Sequence, residues 1–124
     1  MNQQQINLND TSDSEVENHF YKLSKKKPIP CSMNEWAIFM TSASNRIIEQ
    51  NQIGPLLIST IFTGIDHSFG HGEKKLFETT VLGLNNDIQL RWHFSTYNQA
   101  IREHRRLTLL IETKGIDAVL EEIE

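Results

Sequence analysis

Cysteine is nearly absent from this sequence. Cys31 is the only one among 124 residues, so an intrachain disulfide and the cysteine-rich structural zinc sites are both excluded. We therefore expect a reducing compartment, the cytoplasm. Cys31 follows Pro30 at the start of a predicted helix, whose dipole would lower the thiol pKa, but no surrounding pattern identifies it as a catalytic nucleophile.

Long apolar runs are also absent. No stretch approaches the roughly 18 consecutive apolar residues that cross a bilayer. The first 18 residues have neither the basic start nor the apolar centre of a secretory signal. The sequence therefore predicts no contact with membranes.

Basic residues are outnumbered by acidic ones, with 12 Lys and Arg against 16 Asp and Glu. The formal charge of −4 has the wrong sign for a general attraction to nucleic-acid phosphates. Two local basic clusters remain, Lys25–Lys27 and the group Arg102, Arg105 and Arg106. Such clusters are more typical of a solvated surface, and nucleic-acid binding through them is an alternative that predicts affinity falling steeply with salt.

The first part of the chain is polar and the rest is patterned. Residues 1–27 are rich in Asn, Gln, Ser, Asp and Lys, which predicts a flexible segment with one helical stretch around Glu15–Ser24. Pro28 and Pro30 disfavour helix in the residues before them. We therefore expect one domain over residues 28–124.

Two capping boxes bracket a run of extended segments. Ser32–Glu35 predicts the start of a helix that ends near Ser44, and Thr96–Gln99 predicts the start of a second helix. Alternating and β-branched runs separated by Gly, Asn and Pro predict four strands between them, at Arg46–Gln50, Leu56–Asp66, Leu76–Leu82 and Gln89–Phe94. In the last of these, alternation places Leu90, Trp92 and Phe94 on one face and Gln89, Arg91 and His93 on the other. The expected fold is α+β in the order α-β-β-β-β-α, an antiparallel four-stranded meander with helices on one face.

Several short stretches from Trp36 onward have a familiar order. The most specific are Ser59–Gly70, with its ST-hydrophobic-G-x-DH pattern, and Leu76–Thr79, which contains Phe-Glu-Thr. Together they resemble a group of small uncharacterised proteins encoded by bacteriophages and other mobile elements. The resemblance implies a genomic setting and no catalytic residues, since the group has no assigned chemistry. The chain departs from the group at His93, where a tyrosine is expected, and in its polar N-terminal extension.

Carboxylate and imidazole side chains form the most chemically suggestive set, which consists of Asp66, His67, Glu78 and His104. Such groups bind zinc, manganese or iron and act as general acids and bases. Each also has a structural interpretation, which we favour. Asp66 and His67 can fix the following loop, Glu78 can accept from Arg91 or from neighbouring hydroxyls, and His104 fits a hydrogen-bonded core histidine.

The leading functional hypothesis is a non-enzymatic, protein-binding accessory factor of a phage or mobile element, and inhibition of a host or phage protein is one role that this hypothesis includes. Acidic residues near the C-terminal end suit a basic partner, namely Asp117, Glu121, Glu122 and Glu124. A homodimer through an edge strand is a further expectation. The alternative is a metal-assisted hydrolase or small-ligand-binding domain that uses Asp66, His67, Glu78 and His104. No phosphate-binding motif is present, so no cofactor is predicted apart from a divalent metal in that alternative.

Overall fold

The computed structural model describes residues 19–85 and 88–124. Its ten elements, in chain order, are β1 (Phe20–Ser24), β2 (Lys27–Cys31), α1 (Met33–Met40), α2 (Ala43–Arg46), β3 (Ile47–Ile53), β4 (Leu56–Phe62), β5 (Phe77–Asn85), β6 (Ile88–Phe94), α3 (Tyr97–Lys114) and α4 (Ile116–Ile123).

The main sheet has the order β3-β4-β5-β6 with antiparallel neighbours. The predicted α+β meander with a helix packed against it is confirmed. Because successive side chains of a strand point to opposite faces, Ile58, Thr60 and Phe62 of β4 lie against the helix side and are fully buried. Ser59 and Ile61 therefore point to the other face, which carries no helix among the described residues.

The core lies between the sheet and α3. One buried cluster joins Leu56, Ile58 and Val81 of the sheet to Leu107 of α3 and Val119 of α4. A second cluster surrounds Phe62 and Phe77, whose ring centroids are 5.3 Å apart. Both capping boxes form as predicted, with Ser32 accepting from the Glu35 amide and Thr96 from the Gln99 amide. These caps fix where α1 and α3 begin.

The N-terminal part of the described chain differs from the prediction. Phe20–Ser24 is a strand paired with Lys27–Cys31, and not the end of a helix. Lys25 and Lys26 have φ of 51° and 72°, which suits a tight two-residue hairpin turn. Tyr21 is buried against Phe62, so β1 packs with the domain. Residues 1–18, with the rest of the predicted helix and flexible segment, lie outside the described residues.

Four predicted element ends are also wrong. Strands β3 and β5 extend to Ile53 and Asn85, three residues past their predicted ends, and the other two elements end early. The first helix ends at Met40, where the Thr41 hydroxyl donates to the carbonyl of Ile38 at 2.7 Å, and a separate turn of helix, α2, precedes β3. Strand β4 ends at Phe62, four residues before the predicted Asp66. Two residues on, Gly64 has a φ of +70°, which an extended strand does not allow.

Gly64 is also a point of close backbone approach. A Cβ there would lie 2.5 Å from the Tyr21 carbonyl oxygen and 2.6 Å from the Trp36 indole. We predict that Gly64→Ala lowers the free energy of unfolding by roughly 2–3 kcal/mol in urea denaturation, through backbone strain and the clash. Gly72 has a φ of +80° with nothing within 4 Å, so Gly72→Ala should cost only about 1 kcal/mol. Equal losses would show that the contact at Gly64 is unimportant.

Candidate functional site

Three polar side chains meet on the helix-free face of the sheet. One ligand atom from each of His67, Glu78 and His93 lies within 4.8 Å of the other two. The His93 Nε2 and Glu78 Oε1 atoms are 3.0 Å apart. The two imidazole rings are stacked, with centroids 4.3 Å apart and an interplanar angle of 15°. This group of three is the strongest candidate site among the described residues.

Strand register and a folded loop bring these residues together. Glu78 of β5 and His93 of β6 are cross-strand partners, and both alternate with residues that face α3. His67 comes from the loop after β4, where its amide donates to the Lys75 carbonyl at 2.9 Å. That pairing carries the loop back along the start of β5, so the His67 ring reaches His93.

The surroundings of the cluster orient its ligands. The Thr80 hydroxyl donates to Glu78 Oε2 at 3.4 Å, and Arg91 Nε lies 3.6 Å from the same oxygen. Oε1 therefore faces His93, and the Glu78 side chain is only 14% exposed. His67 Nδ1 is buried and has no hydrogen-bond partner in the described part of the chain. Such an unpaired buried atom requires an explanation, and a bound ion is one.

Asp66 does not join this cluster. Its Oδ1 accepts from the amides of Ser68 and Lys75, both at 2.8 Å, and its Oδ2 accepts from the Ser68 hydroxyl at 2.9 Å. Burial alone would raise the pKa of Asp66, but these hydrogen bonds hold it below its ordinary value. The predicted loop-capping role of Asp66 is confirmed, whereas the predicted ring hydrogen bond of His67 is not formed at its buried Nδ1, and His67 bonds to Lys75 through its backbone amide. Asp66 as a ligand beside His67 is not supported, because its carboxylate is already occupied within the loop.

His104 lies on the opposite side of the sheet. It is fully buried, with Nδ1 2.7 Å from the Thr60 hydroxyl and Nε2 2.7 Å from Asn51 Oδ1. The Thr60 hydroxyl is also 2.6 Å from that of Thr79. A neutral ring can donate from Nε2 to Asn51 Oδ1 and accept at Nδ1 from the Thr60 hydroxyl, so both ring nitrogens have a hydrogen-bond partner. The predicted core histidine is confirmed, and the proposed network of His104 with Asp66 or Glu78 is wrong, because the sheet separates them.

Burial lowers the pKa of His104 below its ordinary value of 6.5; Glu49 opposes this shift and Arg105 adds to it. Below about pH 6.5 the unfolded chain therefore takes up a proton more readily than the folded chain. We predict that the free energy of unfolding is independent of this group above that pH and falls as the pH is lowered through the window beneath it. Urea unfolding between pH 8 and 5 measures the slope of the free energy of unfolding against pH. If the slope in that window is the same in His104→Leu as in the wild type, the pH dependence does not come from His104.

The predicted basic cluster of α3 is largely engaged by carboxylates. Arg106 bonds to Glu103 and Glu122, with contacts of 2.6 to 2.9 Å, and these hydrogen bonds raise its pKa above the ordinary value. Arg105 lies 3.3 Å from Glu49. Arg102 has no ion pair among the described residues. Lys25 and Lys26 lie in the exposed β1–β2 turn.

Cys31 is buried, and burial raises the pKa of its thiol. The expected lowering by the helix dipole is therefore wrong. A raised pKa disfavours the thiolate that a nucleophile or a metal ligand requires.

Comparisons of the chain with protein-family models, curated proteins and solved structures give no match. Among the described residues, no helix is both long and apolar enough to cross a membrane. The evidence for a function is therefore the arrangement of the site residues.

Sequence reasoning missed His93 as a site residue. Strand alternation already placed it on the polar face of β6 with Gln89 and Arg91. The missing information was the register, which pairs His93 with Glu78. A histidine and a glutamate on the same face of neighbouring antiparallel strands would have been the signal.

Proposed function

We propose that this chain binds a divalent transition-metal ion through His67, Glu78 and His93. The observation that carries the proposal is the convergence of two imidazoles and one carboxylate within 4.8 Å. Zinc lies about 2.0–2.1 Å from nitrogen and 2.0–2.2 Å from oxygen ligands. The 3.0 Å separation of His93 Nε2 and Glu78 Oε1 lets both atoms bind one ion, and the His67 ring, which is stacked on that of His93, would have to turn toward the ion to complete the set.

Zinc suits this set of ligands best. Imidazole and carboxylate together are typical of zinc and related transition metals, whereas calcium and magnesium prefer oxygen alone. Three protein ligands leave a fourth tetrahedral position open, as in catalytic zinc sites. Thr80 and Arg91 hold the second oxygen of Glu78, which is the role of outer groups in metal sites.

A zinc ion held by these three residues would have one position left for another ligand. It would take water or one atom of a small ligand, so the arrangement supports the metal-assisted hydrolase or ligand-binding alternative drawn from the sequence. The proposed ligands differ from the set predicted from the sequence. His67 and Glu78 belong to both sets, His93 is new, and Asp66 and His104 are no longer included.

Elemental analysis of untagged protein, combined with thermal unfolding, tests metal binding. We predict about one zinc per chain and a lower melting temperature in chelator, since an ion at 1,000 times its Kd stabilises the folded state by about 4 kcal/mol. His71 is exposed and outside the cluster, so His71→Ala should behave as the wild type. Absence of stoichiometric metal together with an unchanged melting temperature in chelator would contradict the proposal.

Protein binding, as an accessory factor of a phage or mobile element, is a second candidate. The observation that favours it is that β3 and β6 are edge strands of the described sheet, and such edges offer unpaired backbone groups. Glu122 is engaged by Arg106, which weakens the predicted acidic surface for a basic partner. A pull-down from host lysate at physiological salt is expected to recover a stoichiometric partner, and recovery of none would count against this candidate.

A further inference from the structure

A cleft of about 810 Å³ lies beside the last strand of the sheet. Its lining comes from His93 and Phe94 of β6, from Lys75, and from one face of α3 that includes Arg102 and Leu109. Of the residues that the structure describes, none in β4 or β5 lines it. The cleft therefore lies on the outer side of β6, between that strand and the helix.

Strand β6 is an edge of the described sheet, and its last two residues, His93 and Phe94, line the cleft. It pairs with β5 on one side, and no described strand pairs with it on the other. An edge strand presents outward N–H and C=O groups at alternate residues, which is how sheets accept an extended peptide. At about 3.3 Å per residue, the seven residues of β6 span roughly 23 Å, enough for a segment of six or seven residues.

The cleft is positively charged. Lys75, Arg102, Arg105 and Arg106 line it, with Glu103 as the one acidic residue in the lining. Arg105 and Arg106 are paired with carboxylates, but neither Lys75 nor Arg102 forms an ion pair among the described residues. Leu109 is 61% exposed at the rim and offers an apolar contact. An occupant with negative charges would meet unneutralised cations here.

We propose that the cleft binds an extended, acidic segment of a partner protein as a fifth strand on β6. The proposal rests on the second candidate function, protein binding, and does not require a bound ion, although His93 lines the cleft and is also a proposed metal ligand. A strand points every second side chain to the same face. Acidic residues at alternate positions would therefore face Arg102 and α3, while the intervening residues extend the helix-free face of the sheet.

The backbone edge distinguishes this partner from a nucleic acid. Only another polypeptide can continue the ladder of backbone hydrogen bonds along β6. Two of the three arginines predicted to contact phosphates are engaged by Glu49, Glu103 and Glu122. The net charge of −4 also opposes a polyanion as long as a nucleic acid.

A titration of the full chain, labelled with ¹⁵N, tests the proposal. The probe is a capped hexapeptide of alternating Glu and Val, and the comparison peptide has Lys in place of Glu. We expect amide shifts in β6 and the first half of α3 with the acidic peptide only. Arg102→Glu is expected to weaken binding about tenfold. Lys114→Glu makes the same charge change on the last turn of α3, outside the cleft, and should leave the affinity near that of the wild type.

Backbone pairing is tested with an acidic peptide that carries N-methyl groups at alternate amides. Loss of its binding supports strand addition, and unchanged binding would overturn it. Three further outcomes would also overturn the proposal: no shifts with the acidic peptide, shifts in the same residues with a single-stranded oligonucleotide instead, or shifts that appear with protein concentration alone and indicate a second copy on β6. A pull-down partner that binds equally well to Arg102→Glu would show protein binding at a different surface.

Discussion

Replacing His104 by alanine is expected to lower the free energy of unfolding by roughly 3–5 kcal/mol. The ring is fully buried between α3 and the sheet, and it bonds to Thr60 and Asn51 at 2.7 Å. Its loss leaves a cavity, removes the partner of Asn51 Oδ1 and removes one of the two partners of the Thr60 hydroxyl. The Thr60 hydroxyl also lies 2.6 Å from the Thr79 hydroxyl, so the substitution also disturbs the contact between β4 and β5.

Urea denaturation at pH 7.5 measures this loss. His71→Ala is the matched control, because His71 is exposed and its removal should change stability by less than about 0.5 kcal/mol. His104→Leu fills most of the cavity but still removes both hydrogen bonds of the ring, so its loss of stability should lie between those of His104→Ala and His71→Ala. A loss below 1 kcal/mol in His104→Ala would mean that the buried network contributes little to stability.

Removal of any one proposed ligand is expected to weaken zinc binding at least about 100-fold. The variants are His67→Ala, Glu78→Gln and His93→Ala, measured by competition with a chromophoric chelator. Glu78→Gln keeps the size of the side chain and can still bond to His93, so it removes the charge with little effect on the fold. Circular dichroism in chelator should be the same for this variant and the wild type.

The control for these three is again an exposed histidine. His71→Ala is expected to bind zinc with the wild-type affinity. Wild-type affinity in His93→Ala would place the ion elsewhere. A similar loss in His71→Ala and His67→Ala would point to the loop as a whole and not to the cluster.

Local signals predicted the architecture well. The hydroxyl and carboxamide or carboxylate groups at Ser32–Glu35 and Thr96–Gln99 mark helix starts within a few residues, and both caps form. Gly54 and Pro55 separate β3 from β4, and the alternation in β6 correctly placed Leu90, Trp92 and Phe94 on one face. Each of these features depends on neighbours in the sequence, which a single sequence displays.

Features that depend on distant contacts were not predictable in this way. Phe20–Ser24 has helix-compatible spacing, but the Tyr21 amide bonds to the Gly64 carbonyl and its ring packs on Phe62, which selects a strand. The prediction of the candidate site was incomplete for the same reason. His67 and Glu78 were named, but the partner that completes the group, His93, is set by strand register and by the return of the loop at Lys75. His104 was assigned correctly as a core residue because its helical stripe alone defines its environment.

Ring ¹⁵N chemical shifts of the histidines, recorded with and without one equivalent of zinc, test metal binding most directly. We predict that one ring nitrogen of His67 and one of His93 move to metal-bound values, while His104 keeps the shifts of its neutral, hydrogen-bonded ring. Unchanged shifts at His67 and His93, or changes confined to the exposed His19 and His71, would contradict a metal centre on this face of the sheet.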